Sequence, residues 1–364
     1  MSNRRIIAFY LPQYHETETN NKWYGKGFTE WTNVKKAQPL FKGHYQPIIP
    51  GELGYYNLLD AETRQKQALL AKEAGIEGFC YYHYWFGKGK RELEKPFQEV
   101  IALGEPDFPF CLCWANQSWY SKFWNKDIEC EKKLIVEQEY DNEEWREKHF
   151  YSLLDAFKDK RYIKTNGKLL FMVYRPLEYP DVKLFMEHWN RLAEKEGLKG
   201  FYFVGQANND KEAISIKDLG FDGVNIVRKD EYRNKRIYSN IFTKYYYKFQ
   251  RLIGKAPYHY DYSKIYSCFV DKKGLECRRG YFPTLLPNWD HSPRSGKRGD
   301  VFYNSTPVNF EKHLKDVLQV TENKDGEDNF IFLKSWNEWG EGNYIEPCTR
   351  YGKGYINVLK KNLS

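Results

Sequence analysis

The stretch Phe330-Ile331-Phe332-Leu333-Lys334-Ser335-Trp336-Asn337-Glu338-Trp339-Gly340-Glu341-Gly342 joins an apolar run to two carboxylates three residues apart. Short aromatic and β-branched runs of this kind are typical of a buried strand. Residues three apart in a straight strand point to opposite faces. Both glutamates can therefore serve one site only if the chain turns at Trp339-Gly340, where glycine permits a turn. The stretch predicts a buried strand that ends at two neighbouring carboxylates.

Seven further runs of this kind lie upstream, bounded by Gly, Pro or Asn. The eight predicted strands are Ile6–Tyr10, Gly78–His83, Phe110–Trp114, Leu169–Tyr174, Gly200–Gly205, Gly223–Val227, Tyr281–Leu285 and Phe330–Trp336. Amphipathic stretches between them predict helices at Ala61–Ala74, Leu93–Leu103, Glu144–Phe157, Val182–Glu196, Lys211–Leu219 and Asn309–Val320. This alternation indicates an α/β fold, a (β/α)8 TIM-like barrel with a closed parallel sheet.

The chain has 364 residues, a length at which α/β barrels often form one domain. We therefore predict a single catalytic barrel domain over residues 1–364, with long loops after strands one and six. The first loop, 16–58, is expected to cover the cleft. The second is an insertion at about 228–280, in which the basic, tyrosine-rich stretch Arg233–Arg251 predicts a helix.

The composition narrows the classes of protein and partner. Aromatic residues make up 18% of the chain, and the formal net charge of +8 is spread along it. This charge is small for a nucleic-acid-binding protein, and no module signature for nucleic acid is present, so we expect no nucleic acid partner. The 7 cysteines are an odd number without zinc-ligand spacing. They favour a reducing compartment and predict no metal site.

The N-terminus does not match a signal peptide. Arg4-Arg5 precedes an apolar stretch that runs only from Ile6 to Leu11, and no small-residue cleavage site follows. No apolar run is long enough for a transmembrane helix. These features predict a cytoplasmic protein.

Polar and aromatic residues follow the C-terminal ends of the predicted strands, the face where barrels carry their chemistry. The candidate binding residues are Tyr10, His83, Trp85, Trp114, Asn116, Trp289, Asp290, Trp336 and Asn337. The candidate catalytic pair is Glu338 and Glu341, which on a helix-like turn would start about 5–6 Å apart, close to the spacing in retaining glycosidases. Because aromatic rings fit the apolar faces of a pyranose, this set predicts a sugar-cleaving site. For each residue alone, local packing or a solvated turn remains an alternative.

Several motifs resemble the WbsX family, over about residues 6 to 355. They are Ala8-Phe9-Tyr10-Leu11-Pro12-Gln13-Tyr14-His15, Gly25-Lys26-Gly27-Phe28-Thr29-Glu30-Trp31-Thr32-Asn33-Val34, Gly78-Phe79-Cys80-Tyr81-Tyr82-His83-Tyr84-Trp85-Phe86, Cys113-Trp114-Ala115-Asn116 and Trp336-Asn337-Glu338-Trp339-Gly340-Glu341-Gly342. Members of this family are bacterial proteins commonly found with surface-polysaccharide (O-antigen) biosynthesis and often called glycosyltransferases. The resemblance implies a polysaccharide, or its lipid-linked precursor, as the substrate.

The family is distantly similar to the endo-α-mannosidases of glycoside hydrolase family ninety-nine, which are (β/α)8 barrels. In those enzymes a Glu-x-x-Glu pair after the last strand carries catalysis without a cofactor. The resemblance implies that Glu338 is a base for the 2-hydroxyl of the sugar, which attacks the anomeric carbon to give a 1,2-anhydro sugar. It implies that Glu341 protonates the leaving oxygen and then activates the incoming water or alcohol.

Three functions remain open at this point: a retaining endo-glycosidase or transglycosidase, a nucleotide-sugar-dependent glycosyltransferase, and a non-catalytic carbohydrate-binding protein. The chain contains neither an Asp-x-Asp motif nor a Gly-x-Gly-x-x-Gly motif, which speaks against the second. An acid pair three residues apart is not needed for binding alone, which speaks against the third. The basic insertion suggests peripheral contact with an anionic membrane or a lipid-linked glycan, with packing on the barrel wall as the alternative.

Overall fold

A computed structural model describes residues 4–121, 133–140, 142–232, 241–242, 245–246, 249 and 257–363. Its central feature is a ring of eight parallel strands. These are β1 (Arg5–Tyr10), β2 (Gly78–Trp85), β3 (Phe110–Trp114), β4 (Lys168–Val173), β5 (Phe201–Ala207), β6 (Gly223–Ile226), β7 (Tyr281–Leu285) and β8 (Phe330–Leu333).

The ring is closed, because each strand pairs in parallel with its chain neighbours and β1 also pairs with β8. The register places Ile6 beside Ile331 at the closing seam and Ile7 beside Gly78 at the next. The predicted (β/α)8 barrel is therefore confirmed. All eight predicted strands occur near their expected bounds, although β8 ends at Leu333, three residues before the expected end.

Helices follow the strands of the ring along the chain. They are α1 (Glu18–Tyr24), α2 (Glu30–Lys36), α3 (Ala61–Glu73), α4 (Lys95–Leu103), α5 (Glu143–Tyr151), α6 (Leu154–Lys158), α7 (Val182–Lys195), α8 (Asp210–Asp218), α9 (Tyr262–Ile265), α10 (Ser292–Ser295), α11 (Pro307–Val320) and α12 (Gly354–Leu363). Helix α7 shows why they pack, since Phe185, Trp189 and Leu192 recur at helical spacing and are buried.

Side chains alternate between the inside of the barrel and the helix layer, as the two-residue period of a strand requires. Inside, the ring of Phe9 stacks on Tyr82 at 5.4 Å and contacts Phe332 at 5.9 Å. Each large aromatic buried in this way contributes about 1.5–3 kcal/mol relative to an exposed position. The interior is therefore a packed core, and the wider space lies at the mouth formed by the strand C-termini.

The described parts of both long loops lie at that mouth. In the first, α2 contacts the turn Trp339–Glu341, and the indole nitrogen of Trp31 donates to the carbonyl of Tyr56. In the second, a short strand Tyr258–Asp261 pairs with Asp300–Tyr303, which also pairs with Trp289–Asp290.

Most of the predicted helix at 233–251 lies outside the described residues, and the described positions 241, 242, 245, 246 and 249 are helical. Within the described ranges, no helix has the length and apolar character needed to cross a bilayer.

Smaller elements complete the chain. Outside the barrel and the three strands above, short strands lie at Arg91–Glu92, Trp119–Tyr120, Leu134–Val136, Lys164–Thr165, Asn337–Glu338 and Asn343–Tyr344. Single 3₁₀ turns lie at Pro176–Glu178, Tyr266–Cys268, Leu275–Cys277, Gly296–Arg298 and Trp339–Glu341.

Candidate active site

The chain turns immediately after Glu338, as the glycine in the motif suggests. Asn337 and Glu338 pair with Asn343 and Tyr344, and a 3₁₀ turn spans Trp339–Glu341. The hydroxyl of Tyr14 braces this turn, since it donates to the carbonyl of Asn337 at 2.5 Å and accepts from the amide of Trp339 at 3.0 Å. The turn therefore brings both carboxylates to one side.

Arg294 from α10 joins these carboxylates. One of its terminal nitrogens lies 3.2 Å from Oε1 of Glu338 and 2.5 Å from Oε1 of Glu341. The two carboxylate oxygens are consequently less than about 6 Å apart, within the range of a retaining glycosidase pair. The Nε of Arg294 donates at 2.9 Å to Glu30 of the first loop, so three carboxylates share one guanidinium.

Gly340 is required by this arrangement. A Cβ atom at this position would lie 2.0 Å from Oε2 of Glu30 and 2.9 Å from Nε of Arg294. No side chain fits there without separating the ion pair. The glycine thus allows the close approach of the first loop to the catalytic turn.

A lysine, a histidine and a hydroxyl surround the pair. Nζ of Lys334 donates to the hydroxyl of Tyr82 at 3.0 Å and lies 4.0 Å from Glu338. The Ser335 hydroxyl donates to Glu338 at 3.0 Å, and Nε2 of His291 lies 3.4 Å from Glu341. Because Lys334 and Glu338 are buried, their charges act on each other through little water.

The environment drives the pKa values of the two glutamates apart. Burial and the nearby charge of Glu341 raise the pKa of Glu338, although Lys334 and Arg294 oppose this. Burial would also raise the pKa of Glu341, but Arg294 and His291 outweigh it and keep that pKa well below its ordinary value. Of the two carboxyls, Glu338 therefore holds a proton more readily than Glu341, which is the asymmetry that paired acid and base work needs.

A further buried carboxylate, that of Glu346, contacts the turn through Trp339. It accepts hydrogen bonds from Tyr56 at 2.8 Å, Gln67 at 2.6 Å and the indole of Trp339 at 2.6 Å. Burial raises the pKa of Glu346 to about 7 in spite of these donors. Because Trp339 lies between the two catalytic candidates, Glu346 fixes the part of the turn that sets their spacing.

Four of the predicted binding residues lie away from the pair, on the helix side of the barrel wall. The Tyr10 hydroxyl donates to Gln67 of α3 at 2.6 Å. Nε2 of His83 lies 2.8 Å from Nε2 of His149, on which Trp85 stacks at 4.4 Å, and Trp114 contacts Phe185 of α7 at 5.3 Å. Burial lowers the pKa of His83 to about 3, so this histidine is neutral. The contacts of all four residues are those of core packing.

The remaining predicted residues have mixed positions. Asn116 bonds to the backbone of Arg175, and Asn337 bonds to both backbone groups of Leu11, so both amides tie loops together. Trp336 is fully buried against Phe79. Trp289 and Asp290 do lie at the mouth. The rings of Trp289 and His291 stack with their centres 6.1 Å apart. Asp290 packs closely against Gly342, since a Cβ atom added to Gly342 would lie 2.6 Å from the Cβ atom of Asp290. Their contact with sugar stays a prediction.

Several residues around the pair did not emerge from the sequence as site residues. Arg294 and His291 lie on and just before α10, which was not predicted, and nothing in their local sequence marks them. Tyr82 adjoins the chosen His83 on β2 and so points to the opposite face, and Lys334 directly follows β8. Gln206 and Asn225, also buried near the strand ends, have amide oxygens without a hydrogen-bond donor among the described atoms.

Within the described parts of the chain, no group of three or more His, Cys, Asp or Glu side chains is arranged to hold a metal ion.

Comparison with known proteins agrees with the fold. Protein WxcX of Xanthomonas campestris pv. campestris is 28% identical over 366 residues, which covers 99% of this chain and 49% of WxcX. The chain thus spans about half the length of the curated relatives it matches. A GH99 endo-alpha-mannosidase from Bacteroides thetaiotaomicron, in complex with BIS-TRIS-propane, has 14% identity and a TM-score of 0.56, with 99% of this chain and 95% of that chain covered.

A second solved structure, described as a glycoside hydrolase-like protein, has 14% identity and a TM-score of 0.60, with 100% of this chain and 95% of that chain covered. At such identities the likeness shows a shared fold alone. The sequence match to the family described as Glycosyltransferase WbsX extends over residues 6–359. Since this match includes nearly the whole chain, the protein belongs to the Glycosyltransferase WbsX family.

Proposed function

We propose that the chain is a retaining endo-glycosidase or transglycosidase that acts on a bacterial surface polysaccharide or its lipid-linked precursor, with Glu338 and Glu341 as the catalytic pair. The observation that supports this most is the pair itself. Two carboxylates less than about 6 Å apart have pKa values driven in opposite directions by burial and by Arg294.

The proposed reaction breaks one glycosidic C–O bond. The base takes the proton of the 2-hydroxyl, whose oxygen bonds to the anomeric carbon as the acid protonates the departing oxygen. Water or an alcohol then adds to the 1,2-anhydro sugar and gives its proton to the second carboxylate, and the 2-oxygen recovers its own proton. Two displacements retain the anomeric configuration.

The assignment of Glu341 as the acid and Glu338 as the base requires a change in the site when the sugar binds. The resemblance to the endo-α-mannosidases implies that Glu341 is the acid, whereas in the free site Glu338 holds a proton more readily. Glu341 can carry a proton only when Arg294 no longer neutralises its charge. The proposal therefore requires that the bound sugar separates Arg294 from Glu341.

A nucleotide-sugar-dependent glycosyltransferase is the second candidate, favoured by the description of the family. Incubation with the producing organism's own polysaccharide repeat, with and without nucleotide sugars, separates the two candidates by mass spectrometry. Cleavage or transfer without any nucleotide supports the glycosidase. Turnover that depends strictly on a nucleotide sugar refutes it. Glu322→Gln, at an exposed glutamate between α11 and the start of β8, is the matched control for the Glu338→Gln and Glu341→Gln variants.

The proposal also includes peripheral contact between the basic insertion and an anionic membrane or lipid-linked glycan. The described helical positions Ile241, Phe242, Tyr245 and Phe249 are exposed, which suits an interfacial helix. We expect co-sedimentation with vesicles that contain phosphatidylserine, weakened by added salt. Equal sedimentation with neutral vesicles, or none, would leave packing as the role of the insertion.

A further inference from the structure

A cavity of about 90 Å³ lies beside the turn Trp339–Glu341, on the side of Trp289 and Asp290. The first loop, the segment after β7, the strand Asp300–Tyr303 and the C-terminal segment all contribute to its wall. Gly342, the residue directly after Glu341, lines it together with Asp290. The cavity is therefore next to the catalytic pair along the chain and opens on the same loops.

The wall of this cavity has the chemistry of a sugar site. Asp290 is buried, and its Oδ2 accepts from Nε2 of His44 at 2.7 Å and from Gln46 at 2.6 Å. Tyr45 and Tyr303 line the same cavity and remain 37% and 38% exposed. Oδ1 of Asp290 accepts from the amide of Ser292 at 2.9 Å, so three donors hold this carboxylate in the wall. The exposed phenol rings offer the flat apolar surface on which a pyranose ring packs.

Arg350 adds a positive charge at the edge of the cavity. Its guanidinium carbon lies 4.4 Å from the ring centre of Tyr45 and 5.1 Å from that of Tyr351, so two rings orient its plane. Among the residues that the structure describes, Arg350 forms no ion pair with a carboxylate. Arg294, by contrast, is fully engaged with three glutamates. An oriented guanidinium with a free N–H fork matches a carboxylate or phosphate group.

We infer that this cavity is an accessory subsite for a negatively charged sugar of the same glycan, with the carboxylate or phosphate of that sugar bound by Arg350 and its ring packed on Tyr45 and Tyr303. This inference rests on the proposed function, because it places a second sugar of the substrate beside the bond that reacts. It narrows the substrate class to acidic glycans. The net charge of +8 suits such a polymer.

Binding of two probes, measured by isothermal titration calorimetry, tests the subsite without any turnover. The probes are an oligogalacturonate with its methyl ester as the neutral match, and glucose 6-phosphate with glucose as the neutral match. We expect at least one charged probe to bind about tenfold more tightly than its neutral match. Arg350→Gln should remove that preference, and Arg350→Lys, which keeps the charge but not the fork, should restore part of it.

Arg278→Gln is the matched control, because this exposed arginine precedes β7 at the opposite end of the barrel. Its binding should equal that of the wild type. Tyr45→Ala should weaken the charged and neutral probes alike, and an unchanged thermal midpoint shows that each variant is folded. The inference is overturned if neither charged probe binds, if Arg350→Gln binds them as the wild type does, or if inorganic phosphate alone competes as well as the sugars. A failure of the proposed catalysis would appear separately, as absent turnover with intact binding.

Discussion

Replacement of Glu346 by glutamine should change how stability depends on pH. The side chain is 1% exposed, and burial raises its pKa from an ordinary 4.5 to about 7. A raised pKa means that the protonated carboxyl suits the fold better than the carboxylate. Its stabilising contribution is therefore complete below about pH 4.5, declines as the pH rises, and is absent above about pH 7.

The magnitude follows from the gap between the two pKa values. Each pH unit of that gap corresponds to about 1.4 kcal/mol, so the wild type should lose about 3 kcal/mol from this group between pH 4.5 and pH 8. Glutamine cannot ionise, so Glu346→Gln should lack this loss. Its own mismatch with the donors Tyr56 and Trp339 adds a cost that does not vary with pH.

Urea unfolding of the wild type and Glu346→Gln at several pH values between 4.5 and 8 measures the difference. The free energy of unfolding of the variant, relative to the wild type, should rise by about 3 kcal/mol across this range. Glu322→Gln, at an exposed site, should show a flat difference. A flat difference for Glu346→Gln as well would refute the reasoning, because it would mean that the carboxylate is accommodated in the fold without penalty.

Three further predictions concern the mouth of the barrel. Glu338→Gln and Glu341→Gln should each lower turnover about 10²–10⁴-fold. Only the variant that lacks the acid should still turn over a glycosyl fluoride, because the fluoride leaving group needs no proton. Equal turnover of the fluoride by both variants would contradict separate acid and base roles. Gly340→Ala places a methyl group 2.0 Å from Oε2 of Glu30 in the first loop. It should therefore lower stability by about 1–3 kcal/mol and remove most activity. Thermal unfolding measures the first effect, and a steady-state assay measures the second. Tyr82→Phe should reduce kcat, because the Tyr82 hydroxyl contacts Lys334. Tyr10→Phe should cost about 1 kcal/mol of stability and leave kcat unchanged. A lower kcat in Tyr10→Phe than in Tyr82→Phe would show that Tyr10 serves the substrate.

The sequence was enough to predict the barrel. It was not enough to predict which side chains of each strand point into the barrel. Runs such as Phe330–Leu333 and Phe110–Trp114 are apolar on both faces, because parallel strands are covered by helices outside and by packed side chains inside. Such runs identify a strand and carry little alternation to show which face is which. The prediction selected Tyr10 and His83, while the neighbours Phe9 and Tyr82 point into the barrel.

The site itself was predictable only where one segment carries it. Glu338 and Glu341 are three residues apart, so a turn was enough to bring them together. Arg294 and Glu30 are separated by 264 residues, and only the closed fold places them at 2.9 Å. A lone arginine in a polar loop has no sequence feature that distinguishes it from a solvated one. The role of Arg294 depends on three carboxylates that come close together only when the barrel has folded.

Under the proposed reaction, this crowding of three carboxylates has a consequence for the first loop. Bringing Glu30, Glu338 and Glu341 together costs free energy unless a cation compensates, and the described structure uses Arg294 for all three. If the bound sugar separates Arg294 from Glu341, the guanidinium still has Glu30 as its partner outside the pair Glu338 and Glu341. Glu30 would then act as the anchor that receives Arg294 during the reaction. On this view the first loop does more than cover the cleft, because the position of its carboxylate determines how easily the catalytic pair changes its protonation.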